Sequence, residues 1–420
     1  MEKSDFPLTL KAGSPAHGGF SIGRYNNRVV LIKGAIPGES VEIAIEEDKK
    51  DYSIASVIKI IEPSPDRIEP GCKLFGLCGS CHLQHIAYKR QIRLKEQVLQ
   101  DCLKRLGKIE TELSQPLASQ NPWKYRFRAQ FKVGTGKIGF FKEKTEEIVH
   151  VERCPLMVDE INDYLRKTDE MLKNSADFTK DISEISISYG DAAAALIKIS
   201  SKHTATDCNK LAAMFLNTGF GGICIEDSNK RLLRYKNQHI ILDLEGLKYT
   251  VSPMSFFQSN WRLNQALVKF IRDSLQKLNG KRVLDLYSGA GNFSLPAALD
   301  ADEVIAVEEN PYAVKDGRRN LKINGIKNCR FIHSSAETFQ TNEKFNIFLL
   351  DPPRHGLTNK TINNILTMMP EQIVYVSCNP ATLARDLKRL LGKYEIGSIR
   401  LIDFFPQTYH IESLVFLRLR

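Results

Sequence analysis

The stretch that decides the fold is Val283-Leu284-Asp285-Leu286-Tyr287-Ser288-Gly289-Ala290-Gly291-Asn292-Phe293. It begins as an apolar strand and ends in a turn whose glycines let the backbone bend sharply beside a ligand before a helix starts. Glu308 closes the next apolar strand, 23 residues after Asp285. A carboxylate there can accept hydrogen bonds from both ribose hydroxyls of a nucleoside cofactor. The sequence therefore predicts a nucleoside site at this strand end, with a tight turn and a surface glutamate as the plainer alternative.

Two classes of cofactor fit such a site. The third glycine of a dinucleotide fingerprint would fall at Ser294. No pyrophosphate has to be held if the ligand is an amino-acid sulfonium. The pattern therefore favours S-adenosylmethionine over a dinucleotide.

Apolar strands and helices alternate on both sides of this turn. A helix is predicted at 263–278, followed by strands at 282–287, 303–308, 329–333, 345–351 and 372–377. This βαβ rhythm predicts a doubly wound, mostly parallel sheet of the Rossmann-like α/β class. The predicted catalytic domain is 256–420, and its last strands, 399–405 and 414–420, should add an antiparallel hairpin.

Two further domains are predicted upstream, since 420 residues exceed one ordinary core. Residues 1–65 contain short alternating strands with Gly and Pro between them, which indicates a small β-barrel. Residues 66–255 contain a basic helix at 89–106 and then mostly strands and hairpins. We expect them to form a β-rich α+β domain.

Composition narrows the class of partner and the compartment. A formal net charge of +10 favours a polyanion, either nucleic acid or an anionic membrane surface. No run of about 18 apolar residues and no apolar N-terminal leader is present, so we expect a cytoplasmic protein without a membrane span. Nine cysteines in a reducing compartment are not expected to form disulfides.

Cys378 follows a predicted buried strand, at the sheet edge where open α/β folds bind ligands. A thiol in that position alone is more often a packed apolar group. However, Asp351-Pro352-Pro353-Arg354 ends the preceding strand and brings a carboxylate and a guanidinium to the same rim. Cys378 is therefore predicted to face a ligand.

Three motifs resemble a known family. Leu349-Leu350-Asp351-Pro352-Pro353-Arg354, Ser377-Cys378-Asn379-Pro380 and His410-Ile411-Glu412 resemble motifs of the RumA/TrmA-type RNA (uracil-5-)methyltransferases, over nearly the whole chain. The N-terminal segments 19–24 and 36–39 resemble the TRAM domain, an OB-like RNA-binding module. The resemblance implies methyl transfer from S-adenosylmethionine to C5 of a uridine in RNA. It favours 23S ribosomal RNA, with transfer RNA as the alternative.

The resemblance also implies roles for single residues. Cys378 is expected to add to C6 of the uracil, and Glu412 to remove the C5 proton as general base. Asp351 is expected at the rim of the cofactor site, in contact with the uracil edge. The other residues expected in the cofactor site are Gln258, Tyr287, Gly289 and Glu308.

Four cysteines suggest a metal centre. Cys72, Cys78 and Cys81 lie in one short loop, and Cys154 is the best candidate for a fourth ligand. Four thiolates suit either zinc or an iron–sulfur cluster, and their spacing does not separate the two. The resemblance to the RumA branch implies a [4Fe–4S] cluster, with zinc as the alternative. The loop reads Cys-Gly-Ser-Cys where the family has Cys-Gly-Gly-Cys.

The predicted partner is a structured RNA whose target uridine is unpaired or flipped out, because a stacked base hides C5 and C6 from a thiolate. Residues 123–128 alternate aromatics with cations, which predicts either an RNA-binding strand or a half-buried one. We expect a monomer. The alternatives are an RNA cytosine-5-methyltransferase, for which a catalytic Pro-Cys pair would be expected and is absent at Cys378, and a catalytically dead RNA-binding protein.

Overall fold

The computed structural model describes residues 8–134, 136–175, 179–200, 204–275 and 278–420. Its N-terminal sheet has the strand order β1-β5-β6-β4-β3-β2. Backbone hydrogen bonds from Gly13 to Ile22 and from Ile22 to Ser14 bring the segment after β1 against β3. The sheet thus curls on itself into the predicted small barrel, around a core that includes Ile32 and Val41. The strands are β1 (Leu8–Lys11), β2 (Pro15–Ala16), β3 (Phe20–Tyr25), β4 (Arg28–Lys33), β5 (Ser40–Asp48) and β6 (Tyr52–Glu62).

The middle of the chain contains a seven-stranded sheet of order β10-β9-β8-β11-β12-β13-β14. Strands β11 and β12 form a hairpin around Gly190, in which Ile187 of β11 pairs with Ala195 of β12. Apolar side chains of two helices cover one face of this sheet. The elements are α1 (Tyr88–Cys102), a π-helical turn (Leu103–Gly107), β7 (Ser114–Leu117), β8 (Arg128–Gly134), β9 (Lys137–Phe141), β10 (Ile148–His150), α2 (Asp159–Asn174), β11 (Ile182–Tyr189), β12 (Ala193–Ile199), α3 (Ala205–Asn217), β13 (Gly222–Glu226) and β14 (Leu232–Lys236).

The segment 123–128 does not form the alternating strand that its sequence predicts. β8 begins only at Arg128, and Lys124 has a φ of +50°. Tyr125 is buried and donates its hydroxyl to the Pro406 carbonyl at 3.1 Å. Arg128 donates to the carbonyl oxygens of Ser255 and Pro253. Tyr125 and Arg128 thus bind distant segments of the chain. These contacts take the place of the pairing that an exposed strand would make.

The C-terminal part forms an eight-stranded sheet of order β19-β18-β17-β20-β21-β23-β22-β7. The first five strands are parallel, and β23 runs antiparallel to both of its neighbours. This confirms the predicted Rossmann-like fold with its terminal hairpin. The elements are β15 (Ile240–Leu244), β16 (Leu247–Val251), α4 (Trp261–Ser274), β17 (Arg282–Leu286), α5 (Ser294–Ala298), β18 (Glu303–Glu308), α6 (Pro311–Ile323), β19 (Cys329–His333), β20 (Ile347–Leu350), α7 (Asn359–Met368), β21 (Gln372–Ser377), α8 (Pro380–Leu390), β22 (Tyr394–Ile402) and β23 (Glu412–Leu419).

Apolar clusters cover both faces of this sheet, as a parallel sheet requires. One cluster contains Leu99 of α1 together with Leu383 and Leu387 of α8. Helix α1 and strand β7 therefore pack with the C-terminal sheet although they precede it by more than a hundred residues. The division into 1–65, 66–255 and 256–420 stays a prediction.

Among the helices described, none combines the length and the apolar character needed to cross a membrane.

Candidate active site

The seven residues predicted for catalysis and cofactor binding all line one cavity of about 550 Å³. It lies at the carboxyl ends of β17, β18, β20 and β21, where side chains following parallel strands meet. The fold alone therefore brings together groups that are up to 154 residues apart in the sequence, from 258 to 412. The seven are Gln258, Tyr287, Gly289, Glu308, Asp351, Cys378 and Glu412.

The turn after β17 forms one wall of the cavity. Tyr287, Gly289 and Gly291 all have left-handed backbone angles, with φ of +64°, +55° and +99°. A Cβ on Gly291 would lie 2.9 Å from the Leu295 side chain, whereas one on Gly289 would meet nothing within 4 Å. Gly291 is thus required for close packing, and Gly289 faces the open cavity. Buried Asp285 stabilises the turn by accepting a hydrogen bond from the Ser294 hydroxyl.

Glu308 is fixed at the rim by the backbone. Its two carboxylate oxygens accept hydrogen bonds from the amides of Gly289, at 2.8 Å, and Asn310, at 2.7 Å. On the opposite side, the buried Gln258 lines the cavity, and its Oε1 has no hydrogen-bond partner among the described residues. A buried acceptor without a partner implies that a ligand supplies a donor there.

Cys378 directly follows β21, and Glu412 is the first residue of the neighbouring strand β23. The last residue pair of these antiparallel strands is Ser377 with Ser413, so both side chains adjoin that pair and line the same cavity. Asn379 accepts a hydrogen bond from the Ala381 amide as the N-cap of α8 and donates one to the Arg354 carbonyl at 3.2 Å. The loop of the thiol is thereby joined to the loop that follows Asp351.

The site disfavours negative charge. Burial raises the pKa of Cys378 to about 11, and the neighbouring carboxyls of Glu412 and Asp351 add to this, while Arg354 opposes it. Burial likewise raises the pKa of Glu412 to about 8 and that of Asp351 to about 7, each helped by a nearby carboxylate. Three acidic groups in one partly enclosed cavity favour a cationic ligand and keep each other protonated.

Several residues on the cavity wall were not predicted. The end of β19 contributes Ser334, Ser335, Ala336 and Glu337, and Glu337 accepts a hydrogen bond from the Tyr287 hydroxyl at 3.2 Å. The sequence signal for residues 334–337 as part of the site is their position directly after β19, the third strand of the parallel sheet along the chain. Phe405 and His410 also line the cavity, and their rings are 5.6 Å apart. The sequence signal for His410 is its place in the His410-Ile411-Glu412 motif, two residues before Glu412.

The predicted metal centre has to be corrected. Over the described ranges, no group of three or more His, Cys, Asp or Glu side chains is arranged to hold a metal ion. Cys72, Cys78, Cys81 and Cys154 do line one small cavity, but its space is about 20 Å³, room for roughly one water molecule. The iron–sulfur cluster and its zinc alternative are therefore not supported.

Comparisons with known proteins agree with this architecture. The family model described as tRNA (Uracil-5-)-methyltransferase matches residues 87–345 and 341–420, and the TRAM domain model matches 7–58. An "Uncharacterized RNA methyltransferase" of Aquifex aeolicus is 35% identical, with 99% of each chain covered. A 23S rRNA (uracil(1939)-C(5))-methyltransferase of Alkalilimnicola ehrlichii is 31% identical, with 97% of this chain and 96% of that one covered.

A solved structure shows the same fold. The Pyrococcus abyssi tRNA (uracil-54, C5)-methyltransferase, in complex with S-adenosyl-L-homocysteine, superposes with a TM-score of 0.77 at 24% identity, covering 98% of this chain and 100% of that one. The cavity, the order of the strands and the matches over nearly the whole sequence lead to one conclusion. This chain is a member of the RNA (uracil-5-)methyltransferase family and carries an N-terminal TRAM domain.

Proposed function

We propose that this protein transfers a methyl group from S-adenosylmethionine to C5 of a specific uridine in 23S ribosomal RNA, with Cys378 as covalent nucleophile. The observation that carries the proposal is that Cys378 and Glu412 line the same cavity as the Gly289 turn and Glu308. The proposed nucleophile, the proposed base and the residues proposed to bind the cofactor thus line one cavity.

The described residues fit S-adenosylmethionine. Glu308 offers a fixed carboxylate for ribose hydroxyls, and Gln258 offers an unpartnered amide oxygen. Tyr287, held by Glu337, offers an aromatic face, and Gly289 leaves room for close approach. The acidic character of the cavity suits a sulfonium. When bound, this cofactor supplies an electrophilic methyl group.

The residues of the chain account for the remaining chemistry. The Cys378 thiolate forms a bond from Sγ to C6 of the uracil, and the C5–C6 π electrons move into an enolate that makes C5 nucleophilic. After C5 has gained the methyl group, Glu412 removes the C5 proton. The electrons of that C–H bond restore the C5–C6 double bond and expel the Cys378 thiolate. Asp351, whose pKa is raised to about 7, contacts the uracil edge in this proposal.

The thiol has to lose its proton before it attacks. Burial and two carboxyl neighbours keep the pKa of Cys378 high, and Arg354 is the cation that lowers it. The Arg354 side chain is exposed and lines both the cavity and the groove outside it. Arg354 is therefore the cation that favours the Cys378 thiolate where the groove meets the cavity.

A groove of about 680 Å³ leads to the cavity and shares Arg354, Phe405 and His410 with it. The Tyr409 ring lies 4.4 Å from that of His82 and 4.6 Å from that of His410, measured between ring centroids. Exposed cations on its opposite side include Lys142 and Lys144. Rings for stacking and cations for phosphates are what a single-stranded or flipped-out nucleotide needs.

The choice of RNA is tested by activity. The full-length relative at 31% identity is named for 23S ribosomal RNA, which favours that substrate over transfer RNA. Purified protein, S-adenosylmethionine and either unmethylated 23S fragments or unmethylated transfer RNA are incubated, and 5-methyluridine is measured by mass spectrometry of nucleosides. We expect methylation of one uridine in the 23S fragments. Methylation of transfer RNA alone would show that transfer RNA is the substrate. Formation of 5-methylcytidine, or no product at all, would contradict the proposed reaction.

A further inference from the structure

The loop between β22 and β23 lies beside the active site and is held mainly from outside the catalytic sheet. Its residues 403–407, here called the anchored loop, precede His410 and Glu412. Each of the five residues accepts or makes a hydrogen bond with a side chain or backbone group from residues 82–125 or from Asn260. The cavity wall therefore depends on elements that lie far upstream in the sequence.

Helix α1 supplies the strongest of these contacts. The Lys95 ammonium lies 2.6 Å from Asp403 Oδ1 and donates to the Phe405 carbonyl at 3.0 Å. The side chains of Lys95 and Asp403 are 2% and 0% exposed. A buried ion pair contributes little net stability compared with apolar packing, because both charges lose water. The Lys95–Asp403 ion pair is better explained by the position that it gives to the anchored loop.

A second contact from α1 acts on the same loop. The Gln91 amide donates to Gln407 Oε1 at 2.9 Å, and its oxygen accepts from the Gln407 backbone amide at 3.0 Å. Gln407 has a φ of +68°, a left-handed conformation that few non-glycine residues adopt without support. Leu83 and His82 donate their amides to the Gln407 carbonyl. The loop is thus locked in one conformation.

We propose that Lys95 and Asp403 are positioning residues for the proton-removal step, because their ion pair sets where the Glu412 carboxyl, Phe405 and His410 lie in the cavity. This inference rests on the proposed role of Glu412 as base. It adds that the base is controlled by a helix outside the catalytic sheet.

Electrostatics give the proposal a signature that simple packing would not produce. The charged groups that act on Glu412 are Asp351 and Asp403, which raise its pKa, and Arg354 and Lys95, which lower it. The Cys378 thiol also faces it. Loss of the Lys95 charge should therefore make Glu412 harder to ionise, and loss of the Asp403 charge should make it easier.

The test measures proton release from C5, using RNA that carries [5-³H]uridine, under single-turnover conditions from pH 6 to pH 9.5. We expect the midpoint of the acid limb to move to higher pH in Lys95→Met and to lower pH in Asp403→Asn. A displacement of about half a pH unit changes the rate below the midpoint about threefold. Arg93→Met, an exposed cation on the same helix, should leave the midpoint unchanged.

Two further measurements keep the test decisive. The double variant Lys95→Met/Asp403→Asn removes both charges and should return the midpoint towards that of the wild type, even if each single variant is less stable. The affinity of each variant for S-adenosylhomocysteine reports whether the proposed cofactor site stays folded. Tritium release by the wild-type protein tests the proposed function itself. If the wild type releases tritium but both single variants keep its midpoint or move it in the same direction, only the positioning role is wrong.

Discussion

Cys378 and Glu412 each adjoin the last residue pair of the antiparallel strands β21 and β23, in which Ser377 faces Ser413, and both line the same cavity. In the proposed reaction, the covalent bond forms at C6 of the uracil and the proton is removed from the adjacent C5. The end of the β21–β23 pairing therefore brings the proposed nucleophile and the proposed base to one cavity.

Removing the base should stop the reaction after the methyl group has been transferred. In Glu412→Gln, turnover should fall about 10²- to 10⁴-fold, because the C5 proton has no acceptor and the thiolate cannot be expelled. A covalent complex of protein and methylated RNA should accumulate and be visible on a denaturing gel. Glu395→Gln, on the neighbouring strand β22 but away from the cavity, is the control. Loss of turnover without any accumulated complex would mean that Glu412 acts before the methyl transfer.

Turnover should also depend on pH in a defined direction. Burial raises the pKa of Glu412 to about 8, and a general base works only when ionised. The rate of tritium release should therefore rise as pH increases from 6.5 to 8.5. A rate that is flat over this range, at saturating RNA and cofactor, would rule out Glu412 as the titrating base.

Glu308 should govern cofactor affinity. Its carboxylate is held by the amides of Gly289 and Asn310, so Glu308→Gln replaces an acceptor by a group that also carries donors. Loss of a charge-assisted hydrogen bond weakens binding by about 1.5–3 kcal/mol, or roughly 10- to 150-fold. Calorimetry with S-adenosylhomocysteine measures this. Glu303→Gln, at the other end of β18, should bind as the wild type does, and equal affinities for all three proteins would exclude Glu308 from the site.

Asp285 should impose a pH dependence on stability. Burial raises its pKa to about 8 in the folded protein, so between about pH 4 and pH 8 the folded state keeps a proton that the unfolded state has lost. Its contribution to the free energy of unfolding therefore falls as pH rises through this window. Asp285→Asn should gain stability relative to the wild type between pH 5 and pH 8, by an amount of the order of a few kcal/mol.

Asp316 provides the opposite control for that measurement. Its pKa is lowered, because hydrogen bonds from His239, Ser255 and Ser252 outweigh the cost of burial. Stability from this group is present above its unfolded pKa and is lost only when the pH falls towards the lower folded value. Asp316→Asn should thus be destabilised by a constant amount from pH 5 to pH 8. Parallel pH curves for both variants in denaturant titrations would contradict the assignment for Asp285.

The groove should contribute to RNA affinity through charge. Lys142 is exposed on its wall, and removal of one phosphate contact in Lys142→Gln should weaken RNA binding several-fold at low salt. The slope of log K against log salt should fall by about 1. Lys269→Gln, on the outer face of α4, is the matched control. An unchanged salt slope in Lys142→Gln would place the RNA elsewhere.

The parallel sheet and the site at its edge could be predicted because both depend on local patterns. Apolar strands that alternate with helices, and polar residues just after each strand, determine which side chains reach one edge. Those patterns predict that Gly289, Glu308, Asp351 and Cys378 reach this edge, and all four line the cavity.

The remaining features depend on contacts between distant segments. Nothing local in 123–128 shows that Tyr125 is buried beneath Pro406, so the strand predicted there was wrong. The packing of Lys95 against Asp403 joins residues 308 positions apart. The metal prediction was wrong because the spacing of Cys72, Cys78 and Cys81 along the sequence does not specify how their side chains are arranged in space.

The central claim is that Cys378 bonds to the uracil, and a trapped adduct tests it most directly. In 5-fluorouridine RNA the C5 position carries fluorine, which a base cannot remove as a proton, so the Sγ–C6 bond should persist. Wild-type protein, S-adenosylmethionine and 5-fluorouridine-containing 23S fragments or transfer RNA should give a complex stable on a denaturing gel, absent in Cys378→Ala and retained in Cys329→Ala. No complex with either RNA, or equal trapping by Cys378→Ala, would contradict the mechanism.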